Sequence, residues 1–233
     1  DHVGLLGHFL RFALRLNYAV LIVELPGHGL SSGPPAVIES FDTYLQVFQA
    51  VVAKALACLP QPWHLTGQST GGAIILDYLS QHKADEFDKI ILLAPLVRAH
   101  RWGFVSGAHS VLRRFVDSIP RSFSGSSHDE EHNRFLAQED PLQAQIVSTA
   151  WVGAMKHWAA KFQGLEPLPR QLLLVQGDED KTVDWRFNVP LIQQNLPNTQ
   201  LVMVPGARHR LVNESDPYRL PAFTAMAAYL AEA

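Results

Sequence analysis

The stretch HLTGQSTGGAIIL, residues His64 to Leu76, sets one serine among three glycines between two apolar runs. Glycine serves where a backbone turns sharply or approaches another group closely, so this clustering predicts that Ser69 is held under constraint. Residues 67–71, Gly-Gln-Ser-Thr-Gly, fit the pattern G-x-S-x-G of a nucleophile elbow, whose glycines permit a tight strand-to-helix turn that lifts the hydroxyl out of a sheet. Five residues of common types say little alone. The context decides, because WHL before and GGAIILDYL after supply the strand and the helix that the turn requires.

Outward from Ser69, short apolar runs alternate with helix-period stretches. Runs at residues 18–25, 63–67, 89–95, 171–177 and 200–205 read as strands, and residues 41–59, 71–81, 184–196 and 217–230 read as helices. Continuous apolar strands separated by helices predict a parallel sheet covered on both faces, an α/β architecture. The interval from Pro95 to Gln171 is too long for a crossover. Its helical patterns GFVSGAHSVLRRFVDSI and QIVSTAWVGAMKHWAAKF, divided by RSFSGSSHDEE, predict an inserted helical cap or lid. The expected organisation is a core over 1–95 with the elbow, a cap over 96–169, and a second core part over 170–233.

A serine hydroxyl is a poor nucleophile at neutral pH and needs a general base, which in turn needs an orienting acid. After the run QLLLVQG comes DEDKTVD, which places Asp178, Glu179 and Asp180 at the C-terminal edge of a strand, where open α/β sheets gather their chemistry. After QLVMVP comes GARHRLVNE, with His209 in the corresponding loop. Of the 11 histidines it alone follows the last strand, whereas His64 falls in a strand, His82 near a helix end, and His128 and His132 in a polar loop.

Composition excludes several classes. A net charge of −3 and no long run of Lys or Arg give no general attraction for nucleic acid, and Arg98, Arg101, Arg113 and Arg114 read as a solvated face. The single cysteine, Cys58, allows neither an internal disulfide nor a thiolate cage, and its helical setting predicts a small buried hydrophobe. No apolar span is long enough for a membrane crossing and no signal peptide opens the chain, so the expected location is cytoplasmic, with peripheral membrane contact compatible.

The segments LPGHGLSSG (25–33), GQSTGG (67–72), QGDEDKTVD (176–184) and PGARHRLVNE (205–214) together resemble the α/β-hydrolase family. More narrowly they are similar to its monoacylglycerol lipase, lysophospholipase and serine aminopeptidase S33-like branch. The resemblance implies Asp180 as the acid, three residues after the strand-end Gly177, with Asp178 as the competitor. It implies a structural role for His28 and its loop, supported by Glu24. It also implies a His-Gly pair after an early strand, followed by an N–H that forms half of an oxyanion hole. Here the chain opens with DHVGLLGHFLRFALRLNYAV, where His2 is not followed by Gly and Gly7-His8 has the reverse order. The early strands and that donor are therefore expected to be absent from these 233 residues, which would make them an incomplete hydrolase, and the N–H of Thr70 is the expected other donor.

The resemblance implies a serine ester hydrolase for lipophilic esters such as monoacylglycerols or lysophospholipids. Ser69, His209 and Asp180 would act as a triad, with no cofactor and no metal. An S33-like aminopeptidase is the alternative within enzymes and would need an acidic group for a free amine, for which Glu130, Glu131 and Asp140 are the candidates. A non-catalytic ligand-binding relative is the alternative outside them. Trp151, Met155, Trp158 and Phe162 fall at helical spacing and predict a packing face that can also wall a pocket for an acyl chain.

Overall fold

The computed structural model describes residues 1–82, 85–123 and 125–232. Among the described residues six strands follow one another: β1 (Trp63–Gln68), β2 (Phe87–Leu93), β3 (Ser118–Pro120), β4 (Ile146–Ser148), β5 (Leu172–Gly177) and β6 (Thr199–Val204). The helices are α1 (Gly7–Arg15), α2 (Phe41–Cys58), α3 (Thr70–Gln81), α4 (Trp102–Leu112), α5 (Glu130–Gln138), α6 (Thr149–Gln163), α7 (Trp185–Asn195) and α8 (Asp216–Ala231).

β1, β2, β5 and β6 form one parallel sheet in the order β1-β2-β5-β6. Successive side chains of a strand point to opposite faces, and both faces here are covered. Ile90, Leu92, Leu172 and Leu174 pack under α2, α3, α6 and α7. Ile91, Leu93, Leu173 and Val175 pack under α8 and α1. The register pairs Leu92 with Leu174 and Leu174 with Leu201, so one apolar layer crosses three strands. This two-sided burial is why the strands read in sequence as unbroken apolar runs.

Residues 18–25 depart from the expectation. They have the composition of a strand but form none, because a strand exists through its ladder partner and no described residue pairs with them. They and β1, the edge of the sheet, line one cavity of about 1090 Å³, with the Tyr18 ring set edge-on to His64 of β1. Cys58 also departs: it ends α2 on an exposed face instead of being buried.

Between β2 and β5 run α4, the antiparallel pair β3–β4, α5 and α6. The helical reading of 103–119 ends early, and residues 118–120 pair instead with 146–148. Ser148 caps α6 from the residue before it, its hydroxyl accepting the Trp151 N–H at 3.0 Å. The helix is tied down by Trp158, whose indole N–H donates to the Leu96 carbonyl at 2.9 Å and whose ring stacks on Phe41, and by Lys161, 2.6 Å from the buried Asp77 of α3.

Candidate active site

Ser69 sits between β1 and α3 with φ 53° and ψ −113°, a conformation that costs a non-glycine residue on the order of 1–3 kcal/mol. The surroundings enforce it. The Ser69 N–H donates to the Leu93 carbonyl at 2.9 Å, and its own carbonyl accepts from Leu96 and Ala73. A Cβ on Gly67 would meet the Gly71 carbonyl at 2.6 Å, and one on Gly72 would meet Pro95 at 2.9 Å. A Cβ on Gly71 would meet nothing within 4 Å, so of the three glycines only Gly67 and Gly72 are demanded by packing.

Asp180 and His209 arrive from the ends of β5 and β6. Here the Gly177 Cα lies against the Ala207 carbonyl so closely that no side chain fits, and the Glu179 N–H donates to that carbonyl at 3.0 Å. The two loops are thereby joined at the backbone. His209 Nε2 lies 3.0 Å from Ser69 Oγ, and His209 Nδ1 lies 2.8 Å from Asp180 Oδ2. Asp180 Oδ1 accepts the N–H groups of Thr182 at 2.7 Å and Val183 at 3.1 Å. Burial opposes the charge of Asp180, yet His209 and these N–H groups hold its carboxyl below the ordinary range. Thr70 opens α3, where a first-turn N–H has no partner within the helix.

The other residues singled out in the sequence have different surroundings. Asp178 turns to the Gly206 N–H, 2.6 Å away, and so braces the loop that carries His209. His28 Nδ1 bonds to the Pro26 carbonyl, and burial lowers its pKa to about 4. Glu24 holds the same loop through Leu30 N–H, as well as Val3 N–H. His2 pairs with the buried Asp140 at 2.7 Å, while Glu130 and Glu131 stand exposed at the start of α5. His8 lies within α1.

Two further residues matter that the sequence reading did not single out. Glu214, fully buried, accepts the Arg208 N–H at 2.7 Å and the His128 N–H at 2.7 Å, which fixes the loop around His209 from below. Gln176 donates to Asp180 Oδ2 at 3.1 Å. The signal for Gln176 was present: it is a polar residue at the end of the otherwise apolar LLLVQG. Nothing in the sequence marks Glu214.

Ser69 and His209 open onto the 1090 Å³ cavity, and α6 contributes Trp151, Val152 and Met155 to its wall. Trp158 and Phe162 do not line it; they are buried in the core beneath. Neither Glu130, Glu131 nor Asp140 lines it. Among the described residues no cluster suited to a metal ion occurs, and no helix is long and apolar enough to cross a membrane.

A parallel sheet covered on both faces, with a strained serine at a strand-to-helix turn and an acid and a histidine on the loops after its last two strands, is the arrangement of the α/β-hydrolase fold. A family model described as "Serine aminopeptidase, S33" matches residues 1–216, and the chain belongs to that family. Over 136 residues, 56% of this chain and 47% of the relative, it is 30% identical to a pimeloyl-(acyl-carrier protein) methyl ester esterase of Chromobacterium violaceum. The chain thus spans about half the length of that relative. Over 179 residues, 72% of this chain and 67% of the relative, it is 26% identical to phospholipase YtpA of Bacillus subtilis. The crystal structure of the monoacylglycerol lipase of Paleococcus ferrophilus superimposes with a TM-score of 0.83 at 18% identity, over 99% of this chain and 90% of that one, a likeness of fold.

Proposed function

We propose that the protein hydrolyses lipophilic carboxylic esters, such as monoacylglycerols or lysophospholipids, through an acyl-enzyme on Ser69. The observation that carries this reading is the relay from Ser69 Oγ through His209 to Asp180, with links of 3.0 and 2.8 Å, at the wall of a large, mainly apolar cavity. Ser69 Oγ attacks the ester carbonyl carbon while His209 Nε2 takes the hydroxyl proton. The Thr70 N–H stabilises the negative charge that develops on the carbonyl oxygen. The tetrahedral intermediate collapses, the proton passes from His209 to the leaving alkoxide, and the alcohol departs. Water then attacks the Ser69 acyl ester, giving its proton to His209, and the carboxylic acid is released as the serine regains a proton. Asp180 holds the imidazole tautomer and offsets its transient positive charge.

Residues 96–169 act as the cap. Trp151, Val152 and Met155 present the apolar wall against which an acyl chain lies. The outer face of α4 and the turn after it expose Phe104, Val111 and Phe115, at 76%, 61% and 77%, beside Arg101, Arg113 and Arg114. An apolar patch rimmed by cations suits an anionic lipid surface, and this surface delivers the substrate. The amine-binding acid that an aminopeptidase needs is not among Glu130, Glu131 and Asp140, since none reaches the cavity.

Hydrolysis of a panel of monoacylglycerols, lysophospholipids, short esters and aminoacyl amides tests the assignment. The expected result is turnover of the long-chain esters at least tenfold above any amide. Preferential cleavage of aminoacyl amides would overturn it.

A further inference from the structure

We infer that Gln176 is a positioning residue for the proposed triad, setting the orientation and basicity of the carboxylate that serves His209; this rests on the reading of Ser69, His209 and Asp180 given above. β5 is buried throughout, and Gln176 is its one polar side chain. The Gln176 amide Nε2 donates to Asp180 Oδ2 at 3.1 Å and to the Gly177 carbonyl at 2.9 Å. Both partners are acceptors, which fixes the amide with nitrogen towards Asp180. That orientation leaves Gln176 Oε1 buried without a partner among the described residues. An unpaired buried acceptor is costly, and an apolar side chain of similar size would avoid it. What the glutamine supplies in exchange is a donor aimed at one oxygen.

That oxygen, Oδ2, is the one His209 Nδ1 uses. Oδ1 is occupied by two backbone N–H groups, which no side-chain substitution removes. With Gln176 in place each carboxylate oxygen has two donors, so the carboxylate cannot rotate and Oδ2 is a weaker base towards the imidazolium. His209 is the titratable side chain that faces Asp180. Of the others nearby, Asp178 is bonded to Gly206 N–H, Arg208 to the Ser127 carbonyl and Arg210 to Asp1, while Glu179 and Lys181 are exposed and Asp184 is half-buried at the start of α7. Leu93 and Ala94 at the end of β2 and Val204 at the end of β6 bring no charge.

Gln176→Met and Gln176→Leu, two apolar shapes without a donor, test the assignment. Catalytic sites are counted with a fluorophosphonate titrant, and kcat/KM for a short ester is measured against pH. The expected result is a kcat per titrated site lower by about tenfold, the loss of one hydrogen bond to a charged group, with KM unchanged. The acid limb of the profile moves to higher pH, because a carboxylate with fewer donors holds the imidazolium more tightly. A purely structural glutamine predicts fewer titrated sites and an unmoved limb. That result in either variant overturns the inference, as does the loss of all titratable sites in both. A wild-type protein that fails to titrate would instead refute the triad reading itself.

Discussion

The Gly177 Cα and the Ala207 carbonyl occupy space that a side chain at 177 would need, and this backbone contact joins the loop of Asp180 to the loop of His209. The partners of the relay are thus set in register by main chain before any side chain contributes. Gly177→Ala forces these loops apart. It is expected to destabilise the fold by about 2 kcal/mol, the scale of overpacking a well-filled site, and to lower kcat in the fraction that remains folded. Urea unfolding alongside ester turnover reads both effects, and a variant with wild-type values in both would show that the loops can separate freely.

Cavity wall and core share one face of α6: Trp151 and Met155 on its earlier turns line the cavity, and Trp158 and Phe162 on its later turns lie in the core beneath. Met155→Ala and Trp151→Ala should change the preference among acyl lengths while leaving turnover of a short acetate ester within a few-fold. Trp158→Ala should act differently, costing about 3–5 kcal/mol as a buried aromatic truncation and lowering activity on every ester alike. Acyl-chain profiles of the three variants separate these outcomes.

The apolar face of α4 makes a prediction about lipid. Replacing Phe104 and Phe115 by Ser should reduce co-sedimentation with anionic vesicles by about tenfold or more, since each ring forfeits the burial of a large apolar surface. Hydrolysis of a soluble short ester should be unaffected. Equal sedimentation of the variant and the wild type would place lipid contact elsewhere.

Acid should destabilise the protein. Burial lowers the pKa of both His28 and His132 to about 4, so in the folded state they stay neutral while the unfolded chain takes up protons below 6.5. Their contribution is full above 6.5 and is lost as pH falls towards 4. Asp180, held below the ordinary carboxylate range, adds stability above that range that disappears as pH falls through its folded value. The urea midpoint should therefore fall between pH 7 and pH 5, and His28→Asn with His132→Gln should flatten that slope. A midpoint constant across this interval would mean that neither imidazole is kept neutral by the fold.

The sheet was legible in the sequence because a parallel strand buried on both faces is a continuous apolar run, as LLLVQG and KIILLAP are. Residues 18–25 carry the same signal without forming a strand, since pairing is a property of two chains of backbone and only one is written in the run. The β3–β4 pair escaped notice because three residues, one of them Pro120, are too few to establish a period. At the site, strand ends placed Ser69, Asp180 and His209 in sequence, and the structure brings those three within hydrogen-bonding distance. The resemblance preferred Asp180 to Asp178, and the turn gives the physical reason for their difference: it sends one carboxylate to Gly206 N–H and the other to His209.

The proposed function stands on Ser69 as the nucleophile and His209 as the base that activates it. Reaction with a fluorophosphonate, followed by intact mass and peptide mapping, tests this most directly. The expected result is a single adduct on Ser69, none in Ser69→Ala, and labelling slowed by about 10³-fold in His209→Ala, the order of loss when one member of a triad is removed. Folded protein that takes no adduct at Ser69, or that labels equally fast without His209, would contradict it.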